Sequence, residues 1–350
     1  MTSDSDSEEY DSDEYPELFP NLDALSSLVS SSLNQQLTKP WTRLTRGLSH
    51  EIWVSQSDSG LQLVARLSRI EEDPRKLLSE VSTMDYVKRH TTILVPTVYL
   101  LEINHNNQVG MQYMIMERMP GVHLYKLWDE LSLNHQISLI GDIANVLIQL
   151  ASLEFPKIGM LDEEFNVRSF YALRKFSVAE PTEKPADHAL FDDSQGPFSS
   201  TVEYLQAFIQ RIRFYPGLPS AVSSALDEVH AIIRKYCHTH AQDSFLSPPF
   251  RLIHGDFDGQ NILISRPTDK NPPCITAVID WENSYVGPLY FLYEYPIFIQ
   301  DMSWSREYYS RNAILRRHFA ERLNVIDWFP RDKCSTLNTF RDVFILSGEY

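Results

Sequence analysis

Cysteine is nearly missing from this chain: Cys237, Cys274 and Cys334 are the three in 350 residues. An odd number without framework spacing excludes a disulfide scaffold and suggests a reducing compartment. Cys237 lies close to His238 and His240, but no second Cys/His pair follows at zinc-site spacing, so this group reads as an exposed helix end. Uninterrupted apolar runs of membrane-spanning length are also missing; the stretch Phe291–Ile299 is broken by Glu294 and Pro296. The first twenty residues hold no Lys or Arg. Without a positive n-region or an apolar core they are not a secretory signal, and a cytoplasmic protein is the expectation. Those twenty residues carry eight acids, half of the net charge of −16, so the body carries −8. A mildly acidic body argues against binding a nucleic-acid backbone and is compatible with a cationic small substrate.

What is present suits a globular enzyme. The hydrophobic fraction of 43% is enough for one large domain or two lobes. Residues 1–20 form an acidic tail, and its Asp/Glu/Ser/Tyr-rich part over 1–18 reads as disordered because it cannot bury a core. Glu51–Ser55 and Leu61–Leu67 flank Ser57-Asp58-Ser59-Gly60 and predict a hairpin. Leu77, Val81, Met84 and Val87 mark one face of a helix over Pro74–His90. Thr97–Ile103 and Met111–Arg118 read as two further strands. This strand, strand, helix, strand, strand order makes a small sheet with one helix packed on it, over residues 21–120. Beyond a hinge near Glu117–Gly121 the chain turns helical, over residues 121–350. Ile137, Ile140, Ala144, Leu147 and Leu150 share a helix face, residues 178–200 form a proline-rich loop, and Tyr204–Phe214 and Ala221–Tyr236 are helices. The fold class is α+β.

The chemistry concentrates between His254 and Glu282. Asn261–Ile264 and Ile275–Ile279 are apolar and β-prone, and the loop Ser265–Cys274 between them implies antiparallel pairing. The start of one strand then lies beside the end of the other, which brings Asn261 next to Asp280. Two hard oxygen ligands at one place suit Mg²⁺. Asp256, five residues before Asn261, can sit beside the metal and accept a substrate hydroxyl proton. This is the D-x-x-x-x-N spacing of a phosphotransfer loop, with Asp280 as the following metal-binding acid. Gly255 permits a close backbone approach, and His254 braces the loop. A buried hairpin with incidental polar ends is the bland alternative.

His254-Gly-Asp256 with Asn261, followed by Ile279-Asp280-Trp281-Glu282, resembles the catalytic region of the aminoglycoside phosphotransferase / choline kinase family. The likeness covers roughly Trp41 to Tyr309, and Gly196-Pro-Phe198 with Glu203-Tyr204-Leu205 resembles its fungal branch. The resemblance implies a protein-kinase-like two-lobe fold, ATP as donor, Mg²⁺ as cofactor and a small-molecule hydroxyl as acceptor, with no nucleic-acid or membrane partner. It makes the N-terminal lobe the nucleotide-binding one. Gly47-Leu-Ser49-His-Glu51 stands where the family has its phosphate-covering loop, so Ser49 is a candidate nucleotide contact, although the segment is poorer in glycine than G-x-G-x-x-G. Arg66 stands in the position of the phosphate-binding Lys, a departure from the family, with Glu80 as its partner. From spacing alone, that pair is equally a surface ion pair. Glu117 and Met119 bound the segment that would face adenine through backbone groups.

The acceptor side is less specified. Asp258, Glu282, Glu294 and Asp301 are acids near the chemistry, and Trp281, Tyr285, Tyr290 and Tyr293 are aromatics that would suit a cation; core packing and solvated loops account better for each taken singly. Gly287-Pro288-Leu-Tyr-Phe291 lacks the acid that the family often carries after its Gly-Asp-Pro. A nucleotide-binding pseudokinase acting as an interaction module is the alternative function, motivated by the absent Lys and the sparse glycine. A protein kinase is disfavoured, because His-Gly-Asp replaces His-Arg-Asp and no Ala-Pro-Glu element follows Asp280.

Overall fold

The computed structural model describes residues 17–47, 49–171, 195–213, 220–239, 246–268, 270–293, 295–300 and 306–323. The N-terminal lobe contains α1 (Leu22–Leu33), β1 (Leu37–Arg46), β2 (His50–Ser57), β3 (Gln62–Ser68), α2 (Pro74–His90), β4 (Val98–Glu102) and β5 (Tyr113–Glu117). Its five strands form one antiparallel sheet in the order β1-β2-β3-β5-β4. The expected hairpin is β2–β3, closed by a turn in which Gly60 adopts φ +86°. That left-handed conformation is one that glycine takes without steric cost. Helix α2 has the expected bounds. Asp73 caps it by accepting from the Arg75 N–H, Pro74 occupies its first turn, and Lys88, Arg89 and His90 close its last.

Two N-terminal elements escape the sequence patterns. Strand β1 carries Pro40, which in an interior strand would cost a ladder hydrogen bond; β1 is an edge strand with irregular register, so the proline is tolerated. Helix α1 holds five serines in its twelve residues, which disguises its periodicity, yet Leu25 and Val29 are buried in a core with Trp41, Leu63, Ala65 and Leu67. The last residues of the predicted tail also have a defined place. Glu17 pairs with Arg43 and Arg46, and Leu18 packs against the same core, because the sheet offers cations and apolar surface to the end of the tail. The rest of the tail, residues 1–16, lies outside the described residues, as does most of the proline-rich loop, 172–194.

The chain enters the second lobe through β6 (Val122–His123) and the short α3 (Leu124–Leu127), then α4 (Leu133–Ala151), whose buried face supplies Ile140, Ala144, Leu147 and Leu150 as expected. Short strands β7 (Glu154–Phe155), β8 (Met160–Leu161) and β9 (Val167–Arg168) precede α5 (Thr201–Arg213) and α6 (Ser220–Thr239). Strands β10 (Phe250–Ile253), β11 (Ile262–Ile264), β12 (Ile275–Val278) and β13 (Tyr285–Gly287) carry the motif region, and α7 (Arg306–Leu323) packs along α4. Three small sheets result, β13-β10-β7, β12-β11-β6 and β8-β9. Cys237, expected at an exposed helix end, is instead buried in the large core of this lobe, where its thiol behaves as a small apolar group. That core also takes in Met84 and Val87, so α2 belongs to the N-terminal sheet by sequence and to the C-terminal core by packing. No helix among the described residues is long and apolar enough to cross a membrane.

Candidate active site

The predicted antiparallel hairpin forms, with Ile262 opposite Val278 and Leu263 opposite Ala277. The Ile279 N–H donates to the Asn261 carbonyl at 2.9 Å, extending the ladder to the mouth of the hairpin. Asn261 and Asp280 therefore emerge side by side at one end of it. Asp280 turns out of the strand with φ +62°, a left-handed conformation that L-residues adopt at local cost.

Asn261 donates its side-chain N–H to Asp256 twice, to the backbone oxygen at 2.9 Å and to Oδ2 at 2.8 Å. The backbone oxygen can only accept, so the amide nitrogen must face it, and the amide oxygen turns the other way. Gln260 Nε2 donates to the same Asp256 Oδ2 at 3.0 Å, fixing the carboxylate from a second side.

His254 is buried. Its Nε2–H donates to the Ile279 carbonyl at 3.0 Å, and its Nδ1 accepts the Asp256 backbone N–H at 3.3 Å. The ring packs edge-on against Trp281, with centroids 4.5 Å apart. Burial pushes its pKa down to about 4, against the opposing pull of the Ile279 carbonyl and Asp256, so the imidazole is neutral. It braces the loop, as its place in the motif suggests. Gly255 is dictated by contact: a Cβ there would stand 2.1 Å from the Asn283 carbonyl oxygen.

The N-terminal lobe supplies the opposite wall. Arg66 on β3 meets Glu80 on α2 through both guanidinium ends, Nη1 to Oε1 at 2.8 Å and Nη2 to Oε2. Both side chains are buried, so this is no surface ion pair. Burial alone would depress the guanidinium, but Glu80 more than offsets it and holds Arg66 firmly charged. Arg66 Nη1 also approaches Asp280 Oδ1 at 3.9 Å, linking the nucleotide-side candidate to the metal-side one. The turn holding Ser49 is anchored by Gly47 N–H to the His50 carbonyl and by Arg69 N–H to the Ser49 carbonyl, each at 2.8 Å.

The segment expected to face adenine divides its labour. Glu117 gives its N–H to the Thr97 carbonyl at 2.8 Å, and its carboxylate accepts from the Thr97 hydroxyl at 2.8 Å. It braces β5 against the approach to β4 instead of presenting those groups to the cleft. The Arg118 N–H is engaged by the Gln62 carbonyl, and Met119 follows, half-buried. Gly121, at φ +124°, lies where a Cβ would fall 2.3 Å from Thr276 Oγ1, so the hinge leans directly on the β11–β12 hairpin.

Acids crowd the cleft. Although 40% of its side chain is open, Asp280 is pushed up to about 7 by partial burial, then by Glu282, with Glu80 and Asp256 adding and Arg66 opposing. Hard oxygen donors under mutual repulsion are what a divalent cation relieves, so the amide oxygen of Asn261 and the carboxylate of Asp280 fit Mg²⁺. Glu282, an acceptor-side candidate by sequence, instead accepts from Lys76 Nζ at 3.0 Å. Trp281 is fully buried, with its indole N–H on the Val278 carbonyl, so it is core and does not face a cation. Tyr285 packs against Phe170 and Phe291. Asp258 shapes the loop through the Gly259 N–H. Glu294 and Asp301 lie outside the described residues, as do the side chains of Tyr290 and Tyr293. The sequence reading missed His50, Glu72 and Lys76, which join Glu282 in one network around the buried Glu72. The spacing of Lys76 four residues from both Glu72 and Glu80 was its only visible signal.

Comparison with known proteins bears on this geometry. Among solved structures, macrolide 2'-phosphotransferase MphH from Brachybacterium faecium superposes with a TM-score of 0.53, at 16% identity, over 93% of this chain and 91% of that one. Aminoglycoside phosphotransferase APH(4)-Ia superposes with a TM-score of 0.52, at 16% identity, over 94% and 99%. These likenesses establish a protein-kinase-like fold, with a five-stranded antiparallel sheet ahead of a helical region. A subtelomeric hrmA-associated cluster protein of Aspergillus fumigatus is 22% identical over 307 residues, covering 73% of this chain and 60% of its own length. Altered inheritance of mitochondria protein 9 of Meyerozyma guilliermondii is 28% identical over 190 residues, 52% of this chain and 31% of that protein. The chain thus matches at most about 60% of the length of these curated relatives. The phosphotransferase enzyme family matches residues 40–291, which takes in the sheet, the Arg66–Glu80 pair and the whole His254–Glu282 region, and the chain belongs to that family.

Proposed function

We propose that this protein is an ATP-dependent small-molecule kinase that transfers the γ-phosphoryl group to a substrate hydroxyl. One observation carries the reading: the Asp256 carboxylate, held by Asn261 and Gln260, opens onto the cleft where Asp280 meets Arg66. A carboxylate fixed in this way orients a hydroxyl and takes its proton as the oxygen attacks. Asn261 and Asp280 would hold Mg²⁺, which when bound neutralises phosphate charge. Arg66, kept rigid by Glu80, steadies the donor phosphates, while His254 keeps the loop in register without exchanging protons. The rate gain then comes from positioning and preorganised charge. A mutant of APH(4)-Ia with the same fold (16% identity, TM-score 0.50) was crystallised with AMP-PNP and hygromycin B, which supports a nucleotide donor and a small-molecule acceptor in this architecture.

The test is ATP depletion by the purified protein across a panel of hydroxyl metabolites, including choline, amino sugars and aminoglycosides. Asp280→Ala should abolish Mg·ATP turnover in a folded protein, and Asp256→Asn should lower it about 10²–10⁴-fold. A wild-type chain that binds nucleotide but turns over none, even by hydrolysis, would instead favour the interaction-module reading.

A further inference from the structure

Four side chains form a continuous polar bridge from the phosphate-side turn to the segment after Asp280. His50 opens β2, directly after Ser49. Its Nε2 lies 2.8 Å from Glu72 Oε1, which also accepts from the Ser68 hydroxyl at 2.7 Å. Lys76 Nζ, on the first turn of α2, donates to Glu72 Oε2 at 2.6 Å and to Glu282 Oε2 at 3.0 Å. Gln112 clips the backbone of Glu72 from both sides, accepting its N–H at 2.7 Å and donating to its carbonyl at 2.9 Å. Glu282 belongs to the C-terminal lobe, two residues beyond Asp280, while its partners belong to the N-terminal lobe.

His50, Glu72 and Glu282 offer ligand atoms within 4.8 Å of one another, a spacing that a metal ion could use. The Lys76 ammonium already bonds both carboxylates, so the cluster carries its own cation and the metal reading falls. The bridge is largely withdrawn from water: the Glu72 side chain is 4% exposed, and those of Lys76 and Glu282 are 18% exposed. Burial alone would raise Glu72, but His50 and Lys76 hold it well below the usual carboxylate range. Tyr171 lies within electrostatic reach of the same cluster, and burial there pushes its phenol up to about 12.

We propose that Lys76 is a positioning residue for phosphoryl transfer: by joining Glu72 to Glu282 it sets the separation between the phosphate-side turn and Asp280. The proposal rests on the kinase reading above. Arg66 binds Glu80 within the N-terminal lobe and reaches Asp280 at 3.9 Å, whereas Lys76 makes a direct hydrogen bond across the lobes. Removing Lys76 leaves Glu282 with the longer His50 Nδ1 contact at 3.9 Å in place of a direct hydrogen bond, and the lobes separate to hydrate the carboxylate.

The test uses the full chain and two readouts. Steady-state kinetics with Mg·ATP are measured for wild type, Lys76→Met, Lys76→Arg, Glu282→Gln and the double variant Lys76→Met/Glu282→Gln. A displacement of about an ångström costs on the order of 10²-fold, so Lys76→Met should lower kcat roughly 10–100-fold and Lys76→Arg should recover part of the loss. The double variant should be no slower than the slower single one, because both substitutions break one link. Spin labels at Asp58→Cys and Glu228→Cys, with Cys274→Ser and Cys334→Ser, report the distance between lobes and should show a broader distribution in Lys76→Met. An active wild type whose Lys76→Met variant keeps kcat and a narrow distance overturns the positioning role alone. Losses that multiply in the double variant also overturn it, because Lys76 then acts independently of Glu282. A wild type without turnover overturns the kinase reading and this role with it.

Discussion

At the scale of single residues, the motif is held by contacts with little tolerance. Gly255 has its α-carbon against the Asn283 carbonyl, so Gly255→Ala forces the loop away from the segment after β12. The backbone has no soft neighbour there to yield, and overpacking of this kind costs about 1–3 kcal/mol. Urea denaturation should register that loss, together with a fall in turnover, because the displaced loop carries Asp256. His254 makes a separate prediction. Its folded pKa, about 4, lies below the ordinary value of 6.5, so the unfolded chain takes up the proton first. The contribution is neutral above pH 6.5, and stability is lost as pH falls from there towards 4, by up to about 3 kcal/mol. His254→Gln keeps an N–H for the Ile279 carbonyl but does not titrate, so its stability should depend less on pH over that window. Equal slopes for the two proteins would show that the histidine is not the source.

At the scale of elements, α2 is the joint of the molecule. It carries Glu80 to Arg66, Lys76 to Glu282, and Met84 and Val87 into the core of the other lobe. Its helical period and caps are plain in the sequence, which is why Pro74–His90 is legible to the residue. Arg66 as the partner of Glu80 came with the family resemblance, but the partner of Lys76 did not, since Glu282 is 206 residues away in the chain. Glu80→Gln keeps the shape and removes the charge, leaving the Arg66 guanidinium buried without its directly bonded carboxylate. Breaking a buried pair in this way costs about 3–5 kcal/mol, and thermal unfolding should reveal it. A cost near zero would mean that Arg66 swings out to water, and the pair would then be no brace for the cleft. The elements hidden from the sequence reading, α1 and β1, are those whose local signals conflict with their context. Serine-rich composition masks the first, and Pro40 is acceptable in the second only because it lies on the sheet's edge.

At the scale of the whole molecule, the cleft is built by both lobes and ligand binding should couple to global stability. Mg·ATP at about a hundred times its Kd should stabilise the native protein by about 2.7 kcal/mol. Asp280→Ala should lose the Mg²⁺-dependent part of that shift while ATP alone still gives some. An identical shift with and without Mg²⁺ in the wild type would remove Asn261 and Asp280 from the metal site.

The sequence by itself determined the hairpin that joins Asn261 to Asp280, the glycine that the loop requires and four of the sheet's five strands in their order along the chain. These follow from local rules: strand alternation, turn residues and the antiparallel geometry of neighbouring segments. Only the tertiary structure decided that Arg66 is buried on Glu80, that Trp281 is core, that Glu117 braces a strand and that Glu282 answers to Lys76. Each of those facts depends on what packing in three dimensions brings to the side chain, and for Glu282 charge and size along the chain do not specify a partner 206 residues away.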